Sequence, residues 1–154
     1  MRMADYLREK QTMALQVPAA DWQTAVAAAT ELLRLAGAVE ARYYDAILRN
    51  VAEHGPYFVV VPGVALPHAR PEDGVRQTGF SLVTLAQPVR FGHDVHDPVS
   101  VVLGIAAIDK QALNEDVIIQ VMRLLDWDQA VPRLQAARSA DDIQQLFADL
   151  PEAI

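Results

Sequence analysis

The chain has 154 residues, enough for one domain with a substantial core and too few for a second independent one. Hydrophobic residues make up 52% and charged residues 21%, an ordinary soluble composition, and the lack of cysteine excludes disulfides, thiolate metal sites and thiol catalysis. A formal charge of −7 argues against nucleic acid or an anionic membrane surface as partner and leaves docking to a more basic protein open.

Met1 to Lys10 mixes charged and apolar residues and has no apolar stretch of signal-peptide length. The first strong helical signal is Trp22, Ala25, Val26, Ala29, Leu33 and Ala36, spaced by three and four, with Asp21 to cap its start and Gly37 its end. A second helix is predicted from about Glu40 to Glu53, stopped by Gly55-Pro56. The period then changes. Phe58 to Val61 and Val64 to Leu66 are short β-branched runs broken by Pro62-Gly63, Phe80 to Leu85 is a third strand, and Val99 to Ile108 a fourth, apolar enough to be central. The apolar runs near Val59 and Val99 are too short to span a bilayer, so a cytoplasmic location is expected. Val117, Ile118, Val121, Leu124 and Leu125 mark another helix, and Ser139 to Asp142 opens a last one carrying Ile143, Leu146, Phe147 and Leu150. The expected fold is a single α/β domain, residues 1–154, with a mixed β-sheet flanked by helices.

Several chemistries lack their motif. There is no Gly-rich phosphate loop, no nucleophile-elbow serine, no dinucleotide fingerprint and no zinc-protease helix. Four histidines remain. His54 can serve the carbonyls at the end of its helix. His93 and His96 lie in Phe91-Gly92-His93-Asp94-Val95-His96-Asp97-Pro98, where turn chemistry explains Asp, Gly and Pro better than a metal site lacking further ligands. His68, in Pro67-His68-Ala69-Arg70, follows a strand and is held extended by Pro67. A neutral imidazole is nucleophilic near neutral pH, and the Arg70 fork suits phosphoryl oxygens. On spacing alone the plainer explanation, a surface-loop histidine beside a solvated arginine, is the better one.

The run Gly55 to Val75, with Pro67-His68-Ala69-Arg70-Pro71-Glu72-Asp73-Gly74 at its centre, resembles the phosphorylation region of the mannitol/fructose-type enzyme IIA domains of the bacterial phosphotransferase system. More narrowly it is similar to the ascorbate-specific branch. Arg42 to Leu48, Thr78 to Val83, Asp97-Pro98-Val99 and Ala106 to Asp109 continue the likeness over nearly the whole chain. The resemblance reverses the preference that spacing alone gives for His68.

It implies an α/β phosphoryl carrier that needs neither cofactor nor metal. His68 would take a phosphoryl group from the histidine phosphocarrier protein and pass it to a cysteine of an enzyme IIB component. The membrane enzyme IIC component would be served indirectly, and Arg70 would bind the phosphoryl group. A homodimer is compatible with this role. Such families commonly carry a second histidine at the position occupied here by Leu113, and leucine offers neither a hydrogen bond nor a charge. That departure keeps an alternative in view, a regulatory module switched by phosphorylation with little onward transfer. His93 or His96 folding back toward His68 would restore the donor.

Overall fold

The computed structural model describes residues 1–154. Helix α1, Met3–Lys10, buries Met3, Tyr6 and Leu7 on one face and leads into strand β1, Met13–Val17. Helix α2, Trp22–Leu35, starts at Asp21, whose carboxylate accepts the Thr24 amide at 2.8 Å. Helix α3, Arg42–His54, ends at Gly55, where a φ of +74° favours glycine. Strands β2, Val59–Val61, and β3, Val64–Ala65, form a tight hairpin. Strand β4, Gly79–Val89, and strand β5, Val99–Ala106, follow. A helical run then comprises α4, Lys110–Ala112, a π-helical turn at Leu113–Val117, and α5, Ile118–Asp126. Helices α6, Ala130–Ala136, and α7, Ala140–Asp149, close the chain, with the Ser139 hydroxyl accepting the Asp142 amide.

The mixed sheet has the order β1-β4-β5-β3-β2. Strand β5 is central, antiparallel to β4 and parallel to β3, and β1 runs parallel to β4 at the edge. Alternation along β5 supplies two cores. Val101, Leu103 and Ile105 join α1 and the C-terminal helices on one face, while Val102 and Ala106 join α2 and α3 on the other. No helix is long and apolar enough to cross a membrane.

The helix-flanked mixed sheet is the expected architecture, with additions. Helix α1, strand β1 and helix α6 carry no clear period in the sequence. Every residue of β1 is half-buried, so no alternation shows, and Pro132 interrupts the apolar pattern of α6 near its start. The third strand continues past Leu85 to Val89, and the fourth stops at Ala106 instead of Ile108.

What matters for function is direction. Because β3 and β5 are parallel, the segments leaving both strands emerge at one end of the sheet. That end carries His68 after β3, and Asp109 to Leu113 after β5.

Candidate active site

His68 is half-buried in the loop that leaves β3. Its Nδ1 lies 2.6 Å from the Leu66 carbonyl oxygen. A carbonyl only accepts, so Nδ1 carries the proton and the lone pair of the neutral ring sits on Nε2. Nε2 bonds no protein group and is not among the buried unpartnered atoms, so it reaches solvent. Burial pulls the His68 pKa below the ordinary 6.5, and the Leu66 bond opposes this only partly. Near neutral pH the ring is therefore uncharged, with its nucleophilic nitrogen open.

Two tyrosines hold the backbone beside this ring. The Tyr57 hydroxyl donates to the His68 carbonyl, and the Tyr57 ring stands edge-on to the imidazole, centroids 5.6 Å apart. Tyr43, fully buried on α3, accepts the Ala69 amide at 3.0 Å and donates to the Ile105 carbonyl at 2.7 Å. Burial raises the pKa of both phenols, so both keep their protons. The rest of the loop is also tied. Leu66 donates to Phe58, Ile105 donates to the Pro67 carbonyl, and the Arg70 amide donates to the Asp73 carboxylate. The Arg42 guanidinium holds the Glu72 carbonyl at 3.0 Å.

Arg70 follows on the surface. Its side chain is 71% exposed and lies 3.5 Å from Glu72 and 3.6 Å from Asp73. It shares a cleft of about 360 Å³ with Asn50, Glu53, His54 and Tyr57. The histidine that the fold brings to this neighbourhood is thus His54, which the sequence places only at a helix end. His93 and His96 lie elsewhere. Their loop joins the end of β4 to the start of β5, at the sheet end opposite His68, and the His96 carbonyl accepts the Gly63 amide at the start of β3. Five residue steps separate Gly63 from His68, at most roughly 16 Å of chain. The two rings stack at 4.6 Å, and the Asp97 carboxylate accepts the amides of Phe91, Gly92 and His93. That is turn chemistry, and it leaves neither ring available to the His68 loop. Leu113 is half-buried against the core that contains Leu66.

Sequence reasoning missed Tyr43 and Tyr57. Both stand in the quoted similarity, but each acts through a contact with the loop that local spacing does not reveal.

A sheet of this topology with one free-lone-pair histidine at its end defines a class of protein. The sequence profile described as "Phosphoenolpyruvate-dependent sugar phosphotransferase system, EIIA 2" matches residues 6–150, and the chain belongs to that family. The ascorbate-specific PTS system EIIA component of Escherichia coli strain K12 is 44% identical over 147 residues, covering 96% of each chain. Among solved structures, the mannitol-specific cryptic phosphotransferase enzyme IIA CmtB of Escherichia coli is 33% identical with a TM-score of 0.83, covering 95% of this chain and 97% of that one. Enzyme IIA for mannitol from the same organism, solved in complex with phosphorylated enzyme IIB, is 29% identical with a TM-score of 0.78, covering 90% and 94%.

Proposed function

We propose that this phosphotransferase-system component carries a phosphoryl group on Nε2 of His68, accepts it from the phosphohistidine of the phosphocarrier protein, and passes it to a cysteine of an enzyme IIB component in the cytoplasm. The observation that carries the reading is the Nδ1–H bond to Leu66, which leaves one nucleophilic nitrogen free in an uncharged ring. The Nε2 lone pair attacks phosphorus in line, the bond from phosphorus to the donor's ring nitrogen breaks, and its electron pair returns to the donor. His68 keeps its Nδ1 proton throughout. Transfer to the IIB cysteine is the same displacement with a thiolate as nucleophile. The 44% identity to an ascorbate-specific component supports ascorbate-type uptake as the pathway served.

The backbone of this loop has little left to offer a phosphoryl group. The amides of Ala69 and Arg70 are already engaged, so of the N–H groups from Leu66 to Arg70 only that of His68 is free to meet a phosphoryl oxygen. Arg70, released from Glu72 and Asp73, is the proposed cationic partner.

The test is incubation with phosphoenolpyruvate, enzyme I and the phosphocarrier, followed by intact mass measurement. One acid-labile phosphoryl group is expected, absent in His68→Ala. Full labelling of His68→Ala would overturn the assignment. Leu113 favours one further reading, a phosphorylation-switched regulatory module. Adding enzyme IIB separates the two, because a carrier loses its label to IIB within the assay and a regulatory module retains it.

A further inference from the structure

We propose that Tyr57 and Tyr43 are positioning residues for His68, gripping both polar groups of the His68–Ala69 peptide so that the imidazole stays in the Nδ1–H tautomer with Nε2 presented for attack. The inference rests on the phosphoryl-carrier reading for its purpose, but its geometry stands apart from it. One phenol donates to the carbonyl of this peptide and the other accepts its N–H, so the peptide plane is held at both edges. Its carbonyl carbon is bonded to the same Cα as the side chain, so anchoring it also fixes where the histidine side chain departs from the backbone.

Why this peptide matters follows from the ring's own bond. For Nδ1–H to reach the carbonyl two residues back, the chain must fold over Pro67 in one way. Pro67 fixes its own φ, and Ile105 holds its carbonyl at 3.3 Å. The remaining freedom is rotation about the His68 N–Cα bond, which swings Cβ and the carbonyl carbon together, and it is stopped by anchoring the peptide that the tyrosines hold. The Tyr57 ring, edge-on at 75° to the imidazole, also limits rotation of the histidine side chain. Tyr43 adds a second connection. Its hydroxyl joins Ala69 to Ile105 of the central strand, so the loop inherits the rigidity of the sheet.

Neither tyrosine is close to the chemistry in the sense of supplying a proton. Both hydroxyls are spent on carbonyls, and burial holds both phenols in the protonated form. Their contribution is orientation, which bears on rate because in-line displacement tolerates little misalignment.

The experiment compares the parent chain with Tyr57→Phe and Tyr43→Phe, labelled with ¹⁵N. Imidazole nitrogen shifts report the His68 tautomer without any phosphoryl donor. The rate of acceptance from phosphorylated phosphocarrier is measured on the same samples. The parent should show a single Nδ1–H species. Tyr57→Phe should show a mixture of tautomers and accept phosphoryl groups about tenfold more slowly, with unchanged circular dichroism. Tyr43→Phe should shift in the same direction, and if that variant unfolds, Tyr57→Phe alone decides. A parent-like tautomer in folded Tyr57→Phe, whatever its rate, overturns the proposal. Failure of the parent to accept a phosphoryl group would instead overturn the carrier reading, while the tautomer comparison still decides the clamp.

Discussion

Burial shifts the proton equilibrium of His68 toward the neutral ring, and two consequences follow. In the proposed carrier role the neutral ring is the reacting form, and burial holds its pKa below the ordinary 6.5, so the rate of phosphoryl acceptance should decline at a lower pH than a free imidazole would give. A decline already under way at pH 7 would contradict the burial effect. Stability follows the same equilibrium. The unfolded chain protonates this ring near 6.5 and the folded chain only at lower pH, so in that window the unfolded state binds more protons. The His68 contribution is complete above 6.5 and is lost as pH falls toward the folded value. Urea midpoints measured across this range should fall less steeply for His68→Gln than for the parent. Arg70→Ala should slow acceptance by about tenfold or more while leaving the melting curve in place, since a charge-assisted contact to a phosphoryl group is worth roughly 1.5–3 kcal/mol and the side chain is mostly exposed. An unchanged rate would mean that Arg70 serves only its ion pairs with Glu72 and Asp73. At this scale the sequence singled out His68 only through the resemblance that the local Pro-His-Ala-Arg run carries, since its spacing alone favoured a plain surface loop. Tyr43 was hidden, because it reaches Ala69 across 26 positions and nothing in its own helix distinguishes it from a core residue.

The elements show the same division between local and distant causes. Helices α2 and α3 were legible through their apolar period and their stops at Gly37 and Gly55, and β5 through its unbroken apolar run. Strand β1 was not, because its side chains pack on both cores, Met13 and Leu15 on one and Ala14 and Val17 on the other, so no polar face alternates with an apolar one. In the centre, tolerance is small. A Cβ on Gly104 would run into the Ser81 hydroxyl and stand 3.2 Å from the Ala29 side chain, at the place where α2 lies on the sheet. The Ser81 hydroxyl already donates to the Ala29 carbonyl at 2.8 Å. Gly104→Ala should therefore lower stability by about 1–3 kcal/mol in a denaturant melt, through overpacking. The helical run after β5 poses a different question. Its π turn starts at Leu113, and such turns insert one extra residue, changing which side chains face the sheet end. Leu113→His should speed acceptance or lengthen the life of the phosphorylated form, at some expense in stability because Leu113 packs on the core. Identical kinetics in a folded variant would mean that the π turn directs this position away from the phosphoryl group.

At the scale of the whole molecule, helices cover both faces of the sheet and its outer strands are short or bulged. Strands β4 and β5 form the longest pairing and sit under both cores. Their amides should be the slowest to exchange with deuterium, opening only with global unfolding, while those of β1 and β2 exchange earlier. Slow exchange in β1 equal to that in β5 would contradict an edge position. The separation of the two sheet ends has a practical consequence. The turn built by Asp97 and the stacked histidines holds Val95 at 75% exposure, on the side of the molecule away from His68. The chain contains no cysteine, so Val95→Cys would create a solitary thiol for a fluorophore, a spin label or a surface tether. Immobilised through that point, the molecule would present the His68 end to solution in one orientation, so that arrival and departure of each proposed partner could be timed on single molecules.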